Sequence, residues 1–165
     1  MCELCADGAR SHAVSISYRP GQRLGGLRWS GGFADAASGA LREVIGAVRD
    51  FSATRDALWK SPIVALSKSV EDRLDYFAGI SCENHETLPA GFTSLDVPEM
   101  AVASSWHGPE DGEVVEHYGR MDEWLRGSGY RRLYTPFDQR EEYPHDVDLD
   151  GPPALRLLLP IERDR

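Results

Sequence analysis

Hydrophobic positions along the chain switch between two periods. Residues 14–18 alternate apolar and polar, which predicts a strand with one buried face. Arg19, Pro20 and Gly21 break that run or introduce a bulge, residues 24–29 continue it, and Ser30, Gly31 and Gly32 end it. From there Ala36, Ala37, Leu41, Val44, Ile45, Val48 and Phe51 recur at helical spacing, so an amphipathic helix is expected over 33–52. Residues 62–66 read as a short apolar strand and 67–72 as a polar turn. Residues 73–82, with Leu74, Tyr76, Phe77 and Ile80, read as another strand.

After a polar connector at 83–90 the same order returns. Residues 92–97 are extended, Pro98 interrupts, and 100–106 are extended again. Val114, Tyr118, Met121 and Leu125 mark a second helix, with Ser128 and Gly129 as its stop signal. A strand over 130–143, an acidic loop at 146–150 and a final apolar strand at 154–161 complete the pattern.

The halves repeat each other. Trp29 and Trp106 lie 77 residues apart (106 − 29), and the same offset pairs Gly31 with Gly108. Each half reads strand–helix–strand–strand and is too small to bury its own helix face. The expected fold is α+β: two such units share one curved antiparallel sheet, with two long helices on one face and a pseudo-twofold between the halves. Residues 1–12 are expected to be a flexible tail, 13–162 one domain with repeats at about 13–82 and 91–162, and 163–165 a short tail. The groove between the halves is where a small ligand is expected.

Composition narrows the function classes. With 41% hydrophobic and 27% charged residues, the chain reads as soluble and globular. No apolar run approaches a membrane span and no secretory signal opens the chain, so a cytoplasmic location and no membrane partner are expected. A net charge of −9 is repelled by phosphate backbones, which argues against direct nucleic-acid binding. Cys2 and Cys5 form a solitary Cys-x-x-Cys without a second pair or histidines at zinc spacing, so neither metal nor cofactor is expected. The five histidines show no ligand or catalytic spacing and read as structural or exposed.

Candidate chemistry concentrates in Arg140-Glu141-Glu142-Tyr143. Strand alternation puts Glu141 and Tyr143 on one face, and Arg140 and Glu142 on the other. If the first face is inward, the Glu141 carboxylate needs a positive or hydrogen-bonding partner, which a ligand can supply. The alternative is an exposed strand end with two solvated glutamates.

Around this motif the sequence resembles the GyrI-like small-molecule-binding domain, which is also the effector-binding domain of AraC- and MerR-type multidrug regulators. The resemblance rests on residues 97–103, on Trp106-His107-Gly108-Pro109, on 123–130, on Phe137 with 140–143, and on 153–161. It spans about 14–161. It implies an SHS2-like dyad with Glu141 in the ligand groove, Tyr143 beside it, and aromatic side chains stacking on lipophilic, cationic compounds. Trp106, Trp29, Trp59, Tyr118 and Trp124 are the candidate walls of that groove, each with a place in the core as the alternative. Arg140 stands where the family carries an aromatic. Residues 65–70 depart from its Tyr-Asp-x-Pro-like turn, and Lys68 and Arg73 are candidates to neutralise Glu141.

Because the chain begins at the domain itself, the expected function is a stand-alone binding module that senses or sequesters a small lipophilic cation. A second function follows from relatives that resemble hydrolases of cyclopropane-bearing electrophiles, with Glu141 and Tyr143 as the acid–base pair. A third, carried by the family name, is modulation of DNA gyrase, which would make gyrase or a regulator a protein partner.

Overall fold

The computed structural model describes residues 10–55 and 60–165; Cys2, Cys5 and Trp59 lie outside them. Nine strands follow the alternating segments: β1 (Ser15–Arg19), β2 (Gln22–Gly32), β3 (Ile63–Val70), β4 (Arg73–Ser81), β5 (Thr93–Val97), β6 (Met100–His107), β7 (Tyr130–Arg132), β8 (Gln139–Tyr143) and β9 (Leu155–Arg163). The first helix, α1, runs through Phe33–Asp35, a wider π-helical stretch at Ala36–Ala40, and Leu41–Thr54. Gly39 bends it with φ 118°, a conformation only glycine adopts without steric cost. The second helix, α2, is Val114–Leu125.

All pairings are antiparallel, and the strands form one sheet in the order β1-β6-β9-β8-β3-β4-β2-β5, with β7 on β9. The order reads alike from both ends. Outward from the central β3–β8 pair run β3-β4-β2 on one side and β8-β9-β6 on the other, each with its helix inserted after β2 or β6. The fold is thus the α+β arrangement expected, with one curved sheet and the helices on one face.

The connections show how far the sheet curves. β1 lies at one end of the order and β2 next to the other end, yet only Pro20 and Gly21 separate them. β5 and β6 are likewise joined through Pro98 and Glu99 alone. Two residues span less than about 10 Å, so the sheet curls until its ends meet. Pro20 and Pro98 are therefore corners, not the bulges or interruptions that a linear reading suggests. Where β2 and β4 cross, Gly26 lies opposite Gly79, and a Cβ on Gly26 would sit 1.9 Å from the Ala78 carbonyl oxygen. The close approach of these two backbones requires glycine.

The outer face carries the helices. Val44, Ile45 and Val48 of α1 bury against Ile63, Ala65, Tyr76, Ala78 and Ile80. Tyr118, Met121 and Leu125 of α2 bury against Leu155, Leu157, Leu159 and Ile161. Each fully buried aliphatic side chain contributes roughly 1.5–3 kcal/mol. The inner face holds Leu24, Val64, Leu66, Phe77, Val97 and Phe137, and beside them a buried ionic cluster. There Arg19 grips both oxygens of Glu142 at 2.9 Å, while Arg140 donates to Glu142 at 2.9 Å and to Gln22 at 2.8 Å.

Three segments differ from expectation. Residues 67–70 continue β3, and the reversal shrinks to Glu71 and Asp72, with Glu71 at φ 57°. The single strand expected over 130–143 is split into β7 and β8 by a loop containing the cis Thr135–Pro136 bond. Of the expected tail, Ser11 and His12 are held: the Ser11 carbonyl accepts from the Trp106 N–H at 2.9 Å, and the His12 carbonyl from the Ser105 hydroxyl at 2.7 Å.

Candidate ligand-binding site

β8 lies at the centre of the sheet, pairing with β3 on one side and β9 on the other. Glu141 stands opposite Ala65 and Leu157, both on the helix-bearing face. Its neighbour Glu142 stands opposite Val64, on the inner face. Two adjacent glutamates thus meet opposite fates. Glu142 takes two guanidinium groups, whereas Glu141 takes two phenols: Tyr118 donates to Oε2 at 2.8 Å and Tyr143 to Oε1 at 3.1 Å.

Among the described residues no cation pairs with Glu141. Lys68 reaches Asp138 and the Tyr134 carbonyl, and Arg73 reaches Asp75, so neither proposed neutraliser is in place. Burial therefore pushes the Glu141 carboxyl above the usual range, and the two phenol hydrogen bonds offset this only in part. Burial, together with the negative charge of Glu141, holds the Tyr118, Tyr143 and Tyr76 hydroxyls well above their ordinary values, so all three stay protonated.

A recess of about 230 Å³ opens over this group. Leu41 and Ile45 of α1 form one wall, Tyr76, Glu141 and Tyr143 the floor, and the loop at 147–154 a partial roof. Val147 and Leu149 pack on the α1 cluster, and Arg49 donates to the Val147 carbonyl at 3.1 Å, which draws that loop over the opening. Arg42 lines the mouth without an ion pair to Glu141. Tyr118 is positioned through its neighbour His117, whose Nε2 lies 2.7 Å from Ser105 Oγ and whose Nδ1 lies 2.8 Å from His107 Nδ1. These buried contacts fix α2 against β6 and so fix the phenol on Glu141.

Of the residues singled out from sequence, Glu141, Tyr143 and Tyr118 come together. Trp29, Trp106 and Trp124 do not join them, and Trp59 lies outside the described residues. Trp29 packs at the edge of the α1 cluster, opposite Tyr76, away from the recess. Trp106 sits on the other face of the sheet, since its neighbour Ser105 turns toward α2, and Arg10 lies over its ring at 4.9 Å. The offset of 77 therefore aligns the two residues along the chain but not in space. Trp124 is exposed on α2, one position before the buried Leu125. Tyr76 is the member that the sequence reading missed as a site residue. Its signal was the alternation of β4, which puts Tyr76 with Ala78 and Ile80 on the helix side.

The pattern of the GyrI-like small molecule binding domain matches residues 12–162. The chain belongs to the GyrI-like family. Solved structures share its fold at low identity. The EcmrR C-terminal domain superposes with a TM-score of 0.62 at 13% identity, covering 92% of this chain and 98% of that one. SAV2435 bound to tetraphenylphosphonium gives 0.59 at 10%, covering 91% and 94%. A hydrolase from Listeria innocua gives 0.60 at 11%, covering 94% of each. No curated protein sequence matches the chain closely enough to count as a relative. Among the described residues no helix is long and apolar enough to cross a membrane.

Proposed function

We propose that this GyrI-like domain binds small lipophilic cations in the outer recess, with Glu141 as the counter-charge. The observation that carries the reading is that the Glu141 carboxylate meets phenol hydroxyls and, among the described residues, pairs with no cationic side chain. A carboxylate so desolvated gains strongly from an incoming cation, because water is not there to screen it. The faces of Tyr76 and Tyr143 add cation–π attraction, about 0.5–2 kcal/mol each. The similar fold that is bound to tetraphenylphosphonium agrees with a cationic, aromatic ligand class. The recess as it stands suits a cation the size of benzyltrimethylammonium, and larger ones require the loop at 147–154 to yield. Tyrosine and tryptophan fluorescence titration with benzyltrimethylammonium tests this: saturable binding that Glu141→Gln weakens is expected, and equal affinity in both proteins would remove the carboxylate from the account.

A second reading is hydrolysis of reactive electrophiles, such as strained cyclopropanes, in the same recess. It is favoured by one specific feature: a carboxyl raised by burial and directly hydrogen-bonded to two phenols sets a proton acceptor and proton donors side by side in the recess. Mass analysis of such a compound after incubation separates the readings. Ring-opened, hydrated product lost in Glu141→Gln supports turnover, and unchanged compound leaves binding alone.

A further inference from the structure

The curled sheet has a second concavity, on the inner face, whose lining has Tyr76 alone in common with the Glu141 recess. Leu66 lies opposite Arg140, whereas Ala65 lies opposite Glu141, so the two sites occupy opposite faces of β3. The inner hollow measures about 660 Å³, within the range of small-molecule sites. Its floor is apolar: Leu66, Phe77, Val97 and Phe137 are all buried, with Leu95 beside them.

Charge around this floor runs opposite to that of the chain. Three cations, Arg28, Lys68 and Arg73, face it against two carboxylates, Asp75 and Asp96, in a protein whose net charge is −9. The carboxylates are already engaged. Asp75 accepts from Ser30 at 2.7 Å and pairs with Arg73 at 3.3 Å, and Asp96 pairs with Arg23 at 3.5 Å. Lys68 is spent on Asp138 and the Tyr134 carbonyl. Arg28 is the exception: its guanidinium lies over the Phe77 ring at 5.6 Å, and among the described residues no carboxylate pairs with it. A guanidinium is a planar fork that matches a carboxylate with two parallel hydrogen bonds. Here it stands at the edge of an aromatic floor, so one ligand with a flat apolar body and one anionic head satisfies both.

We propose that this inner hollow is a second ligand site, which takes a small amphipathic carboxylate with its ring on Phe77, Leu66 and Phe137 and its head on Arg28. The domain then binds ligands of opposite charge on opposite faces of one sheet.

The test uses the full chain and 1-naphthoate as probe, followed by calorimetry and ligand-observed NMR at low salt, with neutral 1-naphthalenemethanol as the uncharged comparison. Saturable binding of 1-naphthoate is expected, weakened about tenfold or more in Arg28→Gln and in the neutral compound. Arg28→Lys should recover part of the loss, because it keeps the charge without the fork. Glu141→Gln should bind 1-naphthoate as the unaltered protein does. Arg28 is exposed, so its variants should melt as the parent does. Absence of saturable binding at millimolar probe, equal affinity in Arg28→Gln, or tighter binding in Glu141→Gln would each overturn the proposal; the last would put the probe in the outer recess instead, where loss of the carboxylate relieves repulsion of an anion.

Discussion

Replacing Glu141 by Gln removes one charge and keeps nearly the same shape, so it isolates the electrostatic part of cation binding. A ligand cation resting on the phenol floor lies about 5 Å from the carboxylate. At an effective dielectric near 20, that attraction is roughly 3 kcal/mol, or about a hundredfold in affinity. The wild-type site does not hold that charge at every pH. Burial raises the Glu141 carboxyl, so acid neutralises it earlier than a free glutamate. Cation affinity should therefore be low in acid, rise as pH climbs through the raised value, and level off above it, with proton release on binding across the rise. In Glu141→Gln the profile should be flat and low. Isothermal titration with benzyltrimethylammonium at several pH values, in two buffers of different ionisation enthalpy, measures both affinity and protons released. A wild-type profile as flat as the variant's, or a loss under threefold at neutral pH, would refute the reasoning.

The same carboxyl should cost stability when empty. A raised folded-state value means that its stabilising contribution is full below the unfolded-state value and lost as pH rises through the folded one, so Glu141→Gln should melt higher than the parent at pH 7 and alike at pH 4. His117 has the opposite sign. Burial, with His107 and Arg120 nearby, lowers it from 6.5 to about 4. Stability should therefore fall as pH drops from about 6.5 toward 4, by about 3 kcal/mol at full strength and on the order of 2 once water around the neighbouring loop screens part of it. Urea titrations of the parent and His117→Asn should show this slope only in the parent. Gly26→Ala should destabilise by about 2–3 kcal/mol in the same assay, because its Cβ meets the Ala78 carbonyl in backbone that cannot move aside. Leu149→Ala trims the loop over the recess, and it should strengthen binding of tetraphenylphosphonium more than of benzyltrimethylammonium if that loop limits ligand size.

What sequence reasoning could and could not see follows from where each pattern is one-sided. The helix stripe of Val44, Ile45 and Val48 and the alternation through Arg140, Glu141, Glu142 and Tyr143 were legible because each has one buried and one different face. From the second came the central feature of the site, that adjacent glutamates part company, although their partners lie far off: Arg19 is 123 residues away in sequence from Glu142. The facing of Trp106 was not legible for the opposite reason. Met100–His107 is buried on both faces beyond its first residues, and a strand buried on both sides carries no alternation to say which way Trp106 turns. The curl of the sheet was hidden more deeply. Pro20-Gly21 and Pro98-Glu99 look like local breaks, and only the pairing of β1 with β6 and of β2 with β5 turns them into corners. That global closure creates the inner hollow, gathering Leu66 of β3, Phe77 of β4 and Val97 of β5 with Phe137, so no local window could have shown it. The Glu141–Tyr143 pair of the outer recess lies within one strand, so a local pattern could point to it. The inner one is distributed over the whole curl, and its evidence is geometric from the start.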